Sequence, residues 1–452
     1  MARDNRPGKP QDLFVEDVPT EEERKLDRET LNRLDWILMP MTLILYLLAW
    51  LDRANVGNAR VAGLDTDLGL SDYQYKVAIT VTYVPYFASE LPSNLILKKI
   101  GPWILLPTLC TAWGLVTILQ CEARNFSGFV ACRFFLGLCE GGLFPGIVLY
   151  LSGFYRRHEL QVRIALFFSA ASLSGAFSGL LAAAIQQMDG VRGLRGWQWI
   201  FILEVMTFKP HHKERCLRQV TLTEVLSVFK DLHVLLLTAC LFCSGVCLFG
   251  LAYFSPAIVQ AIGYDNTRTQ LMTVPPYAVA FVITMVTAYI ADRYRQRGIY
   301  AFVTSLISLV GAAMMLTGKT IVVRYTALIL LVTGVYASAS CLISWVPNNT
   351  AGHVRRATAV ALGFASTSSG GALSTWIYLK SSAPYYALAA RANLALVVIM
   401  LVGLVVQVFL LRRLNADKVA RREEILNGLE GRGYEEQFAV LGDRHPEYRY
   451  TY

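Results

Sequence analysis

The chain has 452 residues, of which 54% are hydrophobic and 17% charged, and its mean hydropathy is +0.42. This composition excludes an ordinary water-soluble domain and indicates that lipid is the solvent for most of the chain. The formal net charge of +9 does not point to nucleic acid, because the Lys and Arg residues lie in loops that flank apolar stretches. The distribution of the basic residues therefore indicates how the chain is oriented in a membrane.

Apolar stretches of about 20 residues recur along the sequence, and this is the length of helix that crosses roughly 30 Å of hydrocarbon. We predict helices, because a helix satisfies its own backbone hydrogen bonds in lipid. The first five predicted spans are 36–51, 77–97, 103–121, 130–154 and 164–185. The last six are 232–254, 271–290, 300–316, 321–346, 357–379 and 394–411.

Between these two groups lies a sixth apolar block, residues 197–208, which is too short to be an ordinary span. About 12 residues of helix extend only ~18 Å. The block contains Glu204 and runs directly into a basic stretch that begins at Lys209. Two interpretations follow: a short or tilted span that recruits residues 217–226, or a span of which part is missing from this chain.

The positions of the basic loops predict the domain organisation and the orientation. Placing the basic loops on one side, the cytoplasm, puts both termini there as well. Residues 1–33 are polar and contain no signal-peptide-like apolar segment, so we expect the first span to direct insertion. The predicted regions are an N-terminal tail (1–33), a first bundle (34–208), a basic linker (209–231), a second bundle (232–412) and a C-terminal tail (413–452).

Ionisable residues inside apolar spans are the best pointers to function, because an unpaired charge in lipid is costly. Asp52 and Arg53 end the first span, and Arg133 and Glu140 lie in the fourth. The seven-residue spacing of Arg133 and Glu140 puts them nearly on one helix face, about 10.5 Å apart along the axis. They are too far apart to neutralise each other, so we expect both to find partners on the first span.

These four residues predict an anion site coupled to protons, although two buried structural ion pairs would give the same pattern. A guanidinium presents a planar fork to a carboxylate, so Arg53 and Arg133 are the predicted substrate ligands. Asp52 and Glu140 are the predicted proton-coupling residues, because a proton on either carboxylate would free an arginine for the substrate.

Three further charged residues are predicted to act in gating. Glu90 lies between Pro85 and Pro92 in the second span, and Asp292 with Arg293 ends the eighth. Asn349 follows the tenth span, and it is either a substrate ligand or part of a helix stop.

No enzyme and no cofactor are predicted. The sequence lacks the phosphate-binding loop, the zinc-protease helix motif and the nucleophile elbow. Cys240 and Cys243 are separated by two residues, but apolar neighbours surround them and a second ligand pair is absent, so we do not predict a metal site.

Several stretches together resemble the major facilitator superfamily and, within it, the anion:cation symporter family, in particular the fungal allantoate permease branch with its nicotinate and pantothenate carriers. These stretches are residues 51–59, 90–98, 133–146, 271–277 and 348–359. The resemblance runs from about residue 34 to residue 412. It implies an all-α membrane protein of twelve helices in two pseudo-symmetric six-helix bundles that works by alternating access. It also implies that Asp52, Arg53, Arg133 and Glu140 serve coupling and anion binding.

The sequence departs from this family in two places. The sixth helix is truncated, and Ser368 and Ser369 stand before the Gly370–Gly371 pair where relatives commonly carry an Asn. The resemblance makes Ser368 a further predicted substrate ligand.

The resulting expectation is a monomeric symporter of the cell membrane that takes up a small organic anion, a vitamin, ureide or carboxylate, together with protons. Its partners would be the anion, protons and membrane lipid, with no nucleic acid. The alternatives are a non-transporting sensor on a carrier fold and an inactive truncated product.

Overall fold

The computed structural model describes residues 21–151, 154–155, 157–205, 227–261, 263, 266–294, 296–379, 382–383, 385–427, 437 and 441–452. The chain divides into two units, Met1–Thr42 and Leu43–Tyr452. Within the first unit, the described residues form the start of a helix.

Eight α-helices lie in the described residues of the first half of the chain. They are α1 (Glu21–Val61), α2 (Leu64–Asp67), α3 (Asp72–Ile100), α4 (Pro102–Leu119), α5 (Phe126–Glu140), α6 (Leu143–Leu151), α7 (Arg157–Ile185) and α8 (Gly196–Val205). Their ends follow local rules. Ser71 and Gln74 form a capping box at the start of α3, and the Asn125 side chain accepts a hydrogen bond from the Gly128 amide at the start of α5.

The second half contains seven described helices. They are α9 (Leu232–Ala261), α10 (Asn266–Tyr294), α11 (Arg297–Thr317), α12 (Ile321–Asn348), α13 (His353–Ile377), α14 (Ala387–Ala420) and α15 (Arg422–Leu426). In this half α11 packs on α12 and α14, and α9 packs on α13 and α14. In the first half α5 packs on α3 and α4. The pairs α7–α10 and α3–α13 join the halves.

Every predicted span falls on a helix, and eight helices of the described ranges are long and apolar enough to cross a membrane. The all-α fold prediction is therefore confirmed. The fourth span is divided: α5 ends at Glu140, two turn residues follow, and α6 begins at Leu143. In the sixth block α8 ends at Val205, and residues 206–226, with most of the predicted linker, lie outside the described residues.

The predicted C-terminal tail at 413–452 contains described structure at both of its ends. Helix α14 continues to Ala420, beyond the last predicted span, and residues 441–452 pack back onto the helix ends. We call the end where α1 and α9 terminate the distal end of the helices. The end where α9 begins and α12 terminates is the proximal end.

Small residues bring the two halves into close contact. Gly57 of α1 faces the backbone carbonyl of Tyr253 in α9, and Gly175 of α7 faces the ring of Tyr277 in α10. A Cβ atom at either glycine would overlap its neighbour. These positions lie toward the distal end, so the halves pack closely there.

We expect Gly57→Ala to lower stability, because the new methyl group would overlap the backbone of Tyr253, which cannot rotate away. Overpacking of this kind costs about 1–3 kcal/mol. Thermal unfolding of the purified protein in detergent measures the effect. Gly363→Ala is the matched control, because its nearest neighbour is the flexible side chain of Leu241 at 3.1 Å. Equal melting temperatures for the two variants would contradict this packing.

Candidate functional site

Arg53 and Glu140 form a buried ion pair between α1 and the end of α5. The Arg53 Nη2 atom lies 2.7 Å from Glu140 Oε1. Arg53 is 7% exposed and Glu140 is 1% exposed. Glu140 Oε1 has no hydrogen-bond partner among the described residues, so this contact is an ion pair without a hydrogen bond of normal geometry. A pair shielded from water in this way is held strongly, since little solvent screens it.

The break between α5 and α6 positions Glu140. Gly141 lies against the backbone carbonyl of Tyr86 in α3, and Gly142 lies against the Ser93 side chain. A side chain at either glycine would hold α3 away. Because the two glycines have no side chains, the end of α5 packs directly against α3. This packing places the Glu140 carboxylate in the interior of the protein.

Aromatic rings surround the Arg53 guanidinium. Its central carbon lies 5.2 Å from the ring centre of Trp50, 5.6 Å from Tyr86, and 5.5 Å from both Phe144 and Phe249. Cations are attracted to the faces of such rings, most strongly where water is excluded. The rings come from α1, α3 and α6 of the first half and from α9 of the second.

A small cavity, the Arg53 chamber, lies against this cluster. Its volume is about 20 Å³, which is room for roughly one water molecule. Apart from Tyr46 and the Arg53 cluster, its lining comes from two helices of the second half: Ile343 of α12, and Phe364, Thr367 and Ser368 of α13. The chamber therefore lies between the two halves, and Ser368 is one of its wall residues.

Asp52 and Arg133 lie buried close to the ion pair. Asp52 is 1% exposed and accepts a hydrogen bond from the Trp113 indole of α4 at 3.3 Å. Arg133 is 4% exposed, lies over the rings of Phe129 and Phe201, and is the cation with the largest electrostatic effect on Asp52. Arg133 Nε and Nη2 have no hydrogen-bond partner among the described residues. The four charges sum to zero.

Sequence reasoning missed the aromatic walls and a second cavity of about 400 Å³ at the distal end. This distal cavity is lined in part by Arg60, Gln260 and Tyr378. Its wall includes Tyr253, one turn along α9 from Phe249 of the chamber. Of the residues that line the chamber, Arg53 and Ser368 are the two that the sequence predicted as substrate ligands.

A tyrosine pair lies beside residues of both cavities. The Tyr83 hydroxyl of α3 donates to the Tyr253 hydroxyl of α9 at 2.9 Å. The Tyr83 ring also lies 5.6 Å from the Phe249 ring. Tyr253 lines the distal cavity and Phe249 lines the chamber, so a hydrogen bond that joins the two halves of the chain lies next to both cavities.

The structure places the remaining predicted residues outside the chamber. The Asn349 side-chain amide donates to the Thr451 carbonyl and accepts from the Thr451 amide. Asp292 pairs with Arg297 at the start of the next helix, and Arg293 is exposed beside Tyr289.

Glu90 is buried in α3, one turn from Tyr86 toward the proximal end. Neither of its carboxylate oxygens receives a hydrogen bond from any residue in the described part of the chain. A carboxylate in such a place is costly unless it is neutral or meets a partner in another arrangement of the helices.

Long apolar helices around a charged, ring-lined chamber between two halves define a polytopic membrane transporter. The comparison with protein families agrees: residues 42–208 and 206–375 match the Major Facilitator Superfamily. The chain belongs to this superfamily.

Relatives of the chain are transporters by name. An uncharacterized transporter of Schizosaccharomyces pombe is 35% identical over 431 residues, covering 87% of this chain and 86% of the relative. The high-affinity nicotinic acid transporter of Saccharomyces cerevisiae is 30% identical over 466 residues, covering 94% of this chain and 85% of the relative.

Solved structures show the same fold at low sequence identity. A bacterial homologue of the human lysosomal transporter Spinster, inward-facing and unoccupied, matches with a TM-score of 0.64 at 15% identity, over 82% of this chain and 96% of that one. A D-xylose-proton symporter matches with a TM-score of 0.64 at 13% identity, over 80% and 96%.

We expect Arg53→Gln to destabilise the protein more than the double variant Arg53→Gln/Glu140→Gln. The single change leaves a carboxylate buried without its partner, which costs about 3–5 kcal/mol, whereas the double change removes both charges. Thermal unfolding in detergent compares the variants. Arg421→Gln, in an exposed pair with Glu424, is the control and should change little. A double variant as unstable as the single one would show that the pair is not coupled.

Proposed function

We propose that the protein is a proton-coupled carrier that takes up a small organic anion by alternating access at the Arg53 chamber. The observation that carries this proposal is the ion pair between Arg53 and Glu140 inside aromatic walls contributed by both halves. In this arrangement the Glu140 carboxylate is paired with the Arg53 guanidinium. A substrate carboxylate would need the same guanidinium, so it competes with Glu140.

The chemistry of the chamber favours a flat anion. Arg53 supplies a planar fork for a carboxylate, and the rings of Trp50 and Phe249 stack on each other at 5.1 Å beside it. A planar ring carrying a carboxylate could pair with Arg53 and lie against these rings. The relative named as a nicotinic acid transporter is consistent with this substrate class, since nicotinic acid is an aromatic monocarboxylate.

Charge balance supports coupling to a proton. Asp52, Arg53, Arg133 and Glu140 are neutral as a group, so a bound monoanion would leave one uncompensated negative charge among buried residues. A proton on Glu140 or Asp52 removes that charge and, on Glu140, also releases Arg53 for the substrate. This reasoning favours one proton for each monoanion.

Alternating access would proceed from a closed arrangement. A chamber of about 20 Å³ is far too small for an organic anion, and the hydrogen bond between Tyr83 and Tyr253 joins the two halves beside it. The two halves must therefore separate for a substrate to enter. The proposed gating elements are Glu90, whose carboxylate has no hydrogen-bond partner within the described ranges, and the Asp292–Arg293 region at the end of α10.

The proposed orientation places the proximal end and both termini in the cytoplasm of a cell-membrane protein. The basic residues of the predicted cytoplasmic loops, among them Arg297, Arg355 and Arg412, lie at the proximal end of α11, α13 and α14. The distal cavity would then open to the outside. The proposed functional unit is a monomer.

We expect Glu140→Gln to lose proton-driven accumulation while it keeps the ability to bind and exchange the anion. The amide has the shape of the protonated carboxyl group, so Arg53 stays free and no proton is released. The measurement is uptake of radiolabelled nicotinate into proteoliposomes, with and without a pH gradient, compared with exchange against internal nicotinate.

Glu122→Gln is the matched control, because Glu122 is exposed in the turn after α4 and is outside the chamber. Its uptake should follow that of the unchanged protein. Accumulation by Glu140→Gln that still rises with the pH gradient would remove Glu140 from the coupling role.

We expect Arg53→Lys to weaken anion binding by about tenfold or more, because an ammonium keeps the charge but loses the planar fork. Concentration dependence of nicotinate exchange gives the apparent affinity. Arg124→Lys, at an exposed position, serves as the control. Equal affinities for Arg53→Lys and the control would exclude Arg53 as the carboxylate ligand.

A further inference from the structure

The last residues of the chain bind the proximal end of the second half. The Trp345 indole donates to the Thr451 carbonyl at 2.9 Å, and the Tyr448 hydroxyl donates to the Asn348 carbonyl at 2.7 Å. Asn349 donates to the Thr451 carbonyl at 3.1 Å and accepts from its amide at 2.9 Å. We call residues 442–452 the C-terminal segment. In these contacts the side chains of Trp345 and Asn349 and the carbonyl of Asn348, all at the end of α12, form hydrogen bonds with the segment.

A buried acid fixes this segment to the start of α13. Asp443 is 1% exposed and pairs with Arg355, which also pairs with Asp231 immediately before α9. The Tyr450 hydroxyl donates to the second oxygen of Asp443 at 3.1 Å. Burial of Tyr450 and the nearby Asp443 charge raise the pKa of this hydroxyl, so it remains a donor at neutral pH.

Helix α14 holds the segment from the other side. The buried Lys418 ammonium donates to the carbonyls of Asp443 and Tyr448 and lies 3.5 Å from the centre of the Tyr450 ring. Asn415 donates to the Tyr450 carbonyl at 3.0 Å and accepts from its amide at 2.9 Å. The segment is thus tied to α14 by a buried charge and by paired backbone hydrogen bonds.

Apart from α14, the helices that the segment joins are those that wall the Arg53 chamber from the second half. Phe249 is on α9, Ile343 on α12 and Phe364 on α13. The segment contacts the proximal ends of the same three helices: the His233 ring of α9 lies 5.1 Å from the Tyr450 ring, and α12 and α13 make the contacts above. Separation of these helices would break its buried hydrogen bonds and its ion pair.

We propose that the C-terminal segment is an autoinhibitory latch: docked, it ties the ends of α9, α12 and α13 and keeps the Arg53 chamber closed, and its release lets the chamber widen. The inference rests on the proposed role of the chamber as the transport site. It adds a control element to that site, because these three helices supply the walls that the second half contributes to the chamber.

Labelling of a chamber cysteine tests the latch without any substrate. Ser368→Cys is introduced as the reporter, and its rate of reaction with N-ethylmaleimide is measured in detergent, with the chain lacking the reporter as background. Two latch variants are compared on this reporter: Asp443→Asn, and a chain ending at Leu441. Glu447→Gln is the matched control, because Glu447 lies in the same segment but makes an exposed pair with Arg422.

Both latch variants are expected to react about fivefold faster or more, the size of an ordinary coupling between two sites, and Glu447→Gln should react as the parent does. Elution as a single species is the criterion for a folded variant. If the shortened chain does not meet it, the rate of Asp443→Asn alone decides. A reporter rate in a folded latch variant equal to or below that of Glu447→Gln would overturn the proposal. The labelling rate does not depend on transport. A protein that failed to accumulate nicotinate would contradict the proposed function and leave the test of the latch unchanged.

Discussion

The structure depends on the pairing of charges that water cannot reach. An isolated charge in the interior of a membrane protein costs several kcal/mol, so buried ionic groups persist where partners compensate them. Arg53 meets Glu140 at 2.7 Å, and Asp52 and Arg133 complete a set with no net charge. Under the proposed function, an anion that enters this electrostatic balance would bring a compensating cation, and a proton is the smallest one.

The backbone geometry around the pair explains why it lies between the two halves. Gly141 and Gly142 break the fourth span, so that α5 ends at Glu140 and presses against α3. Gly57 lets α1 approach α9, which brings Phe249 to the face of Arg53. The second half thus contributes rings to a charge cluster that the first half carries. A movement of one half relative to the other therefore changes the residues that surround Arg53. Alternating access requires such a link between the position of the halves and the binding site.

The sequence was sufficient for those features that local patterns determine. Span lengths predicted the helices, and the cost of buried charges singled out Arg53 and Glu140, which the structure brings together. It did not predict the rings of Phe144 and Phe249, because contacts between residues far apart in the chain leave no periodic signal. Asn349 was ambiguous for a related reason: its partner, Thr451, lies 102 positions away in a region that resembled a polar tail. The end of α5 at Glu140 was also hidden, because the fourth predicted span runs without interruption from residue 130 to residue 154.

A structure of the protein with bound nicotinate, determined by electron cryomicroscopy, tests the central claim most directly. The claim is that the Glu140 carboxylate occupies the place of the substrate on Arg53. The account predicts that the nicotinate carboxylate lies within hydrogen-bonding distance of the Arg53 guanidinium, with the pyridine ring against the aromatic walls and Glu140 beyond 4.0 Å, the limit for an ion pair. A bound anion elsewhere, with the pair between Arg53 and Glu140 intact, would contradict it.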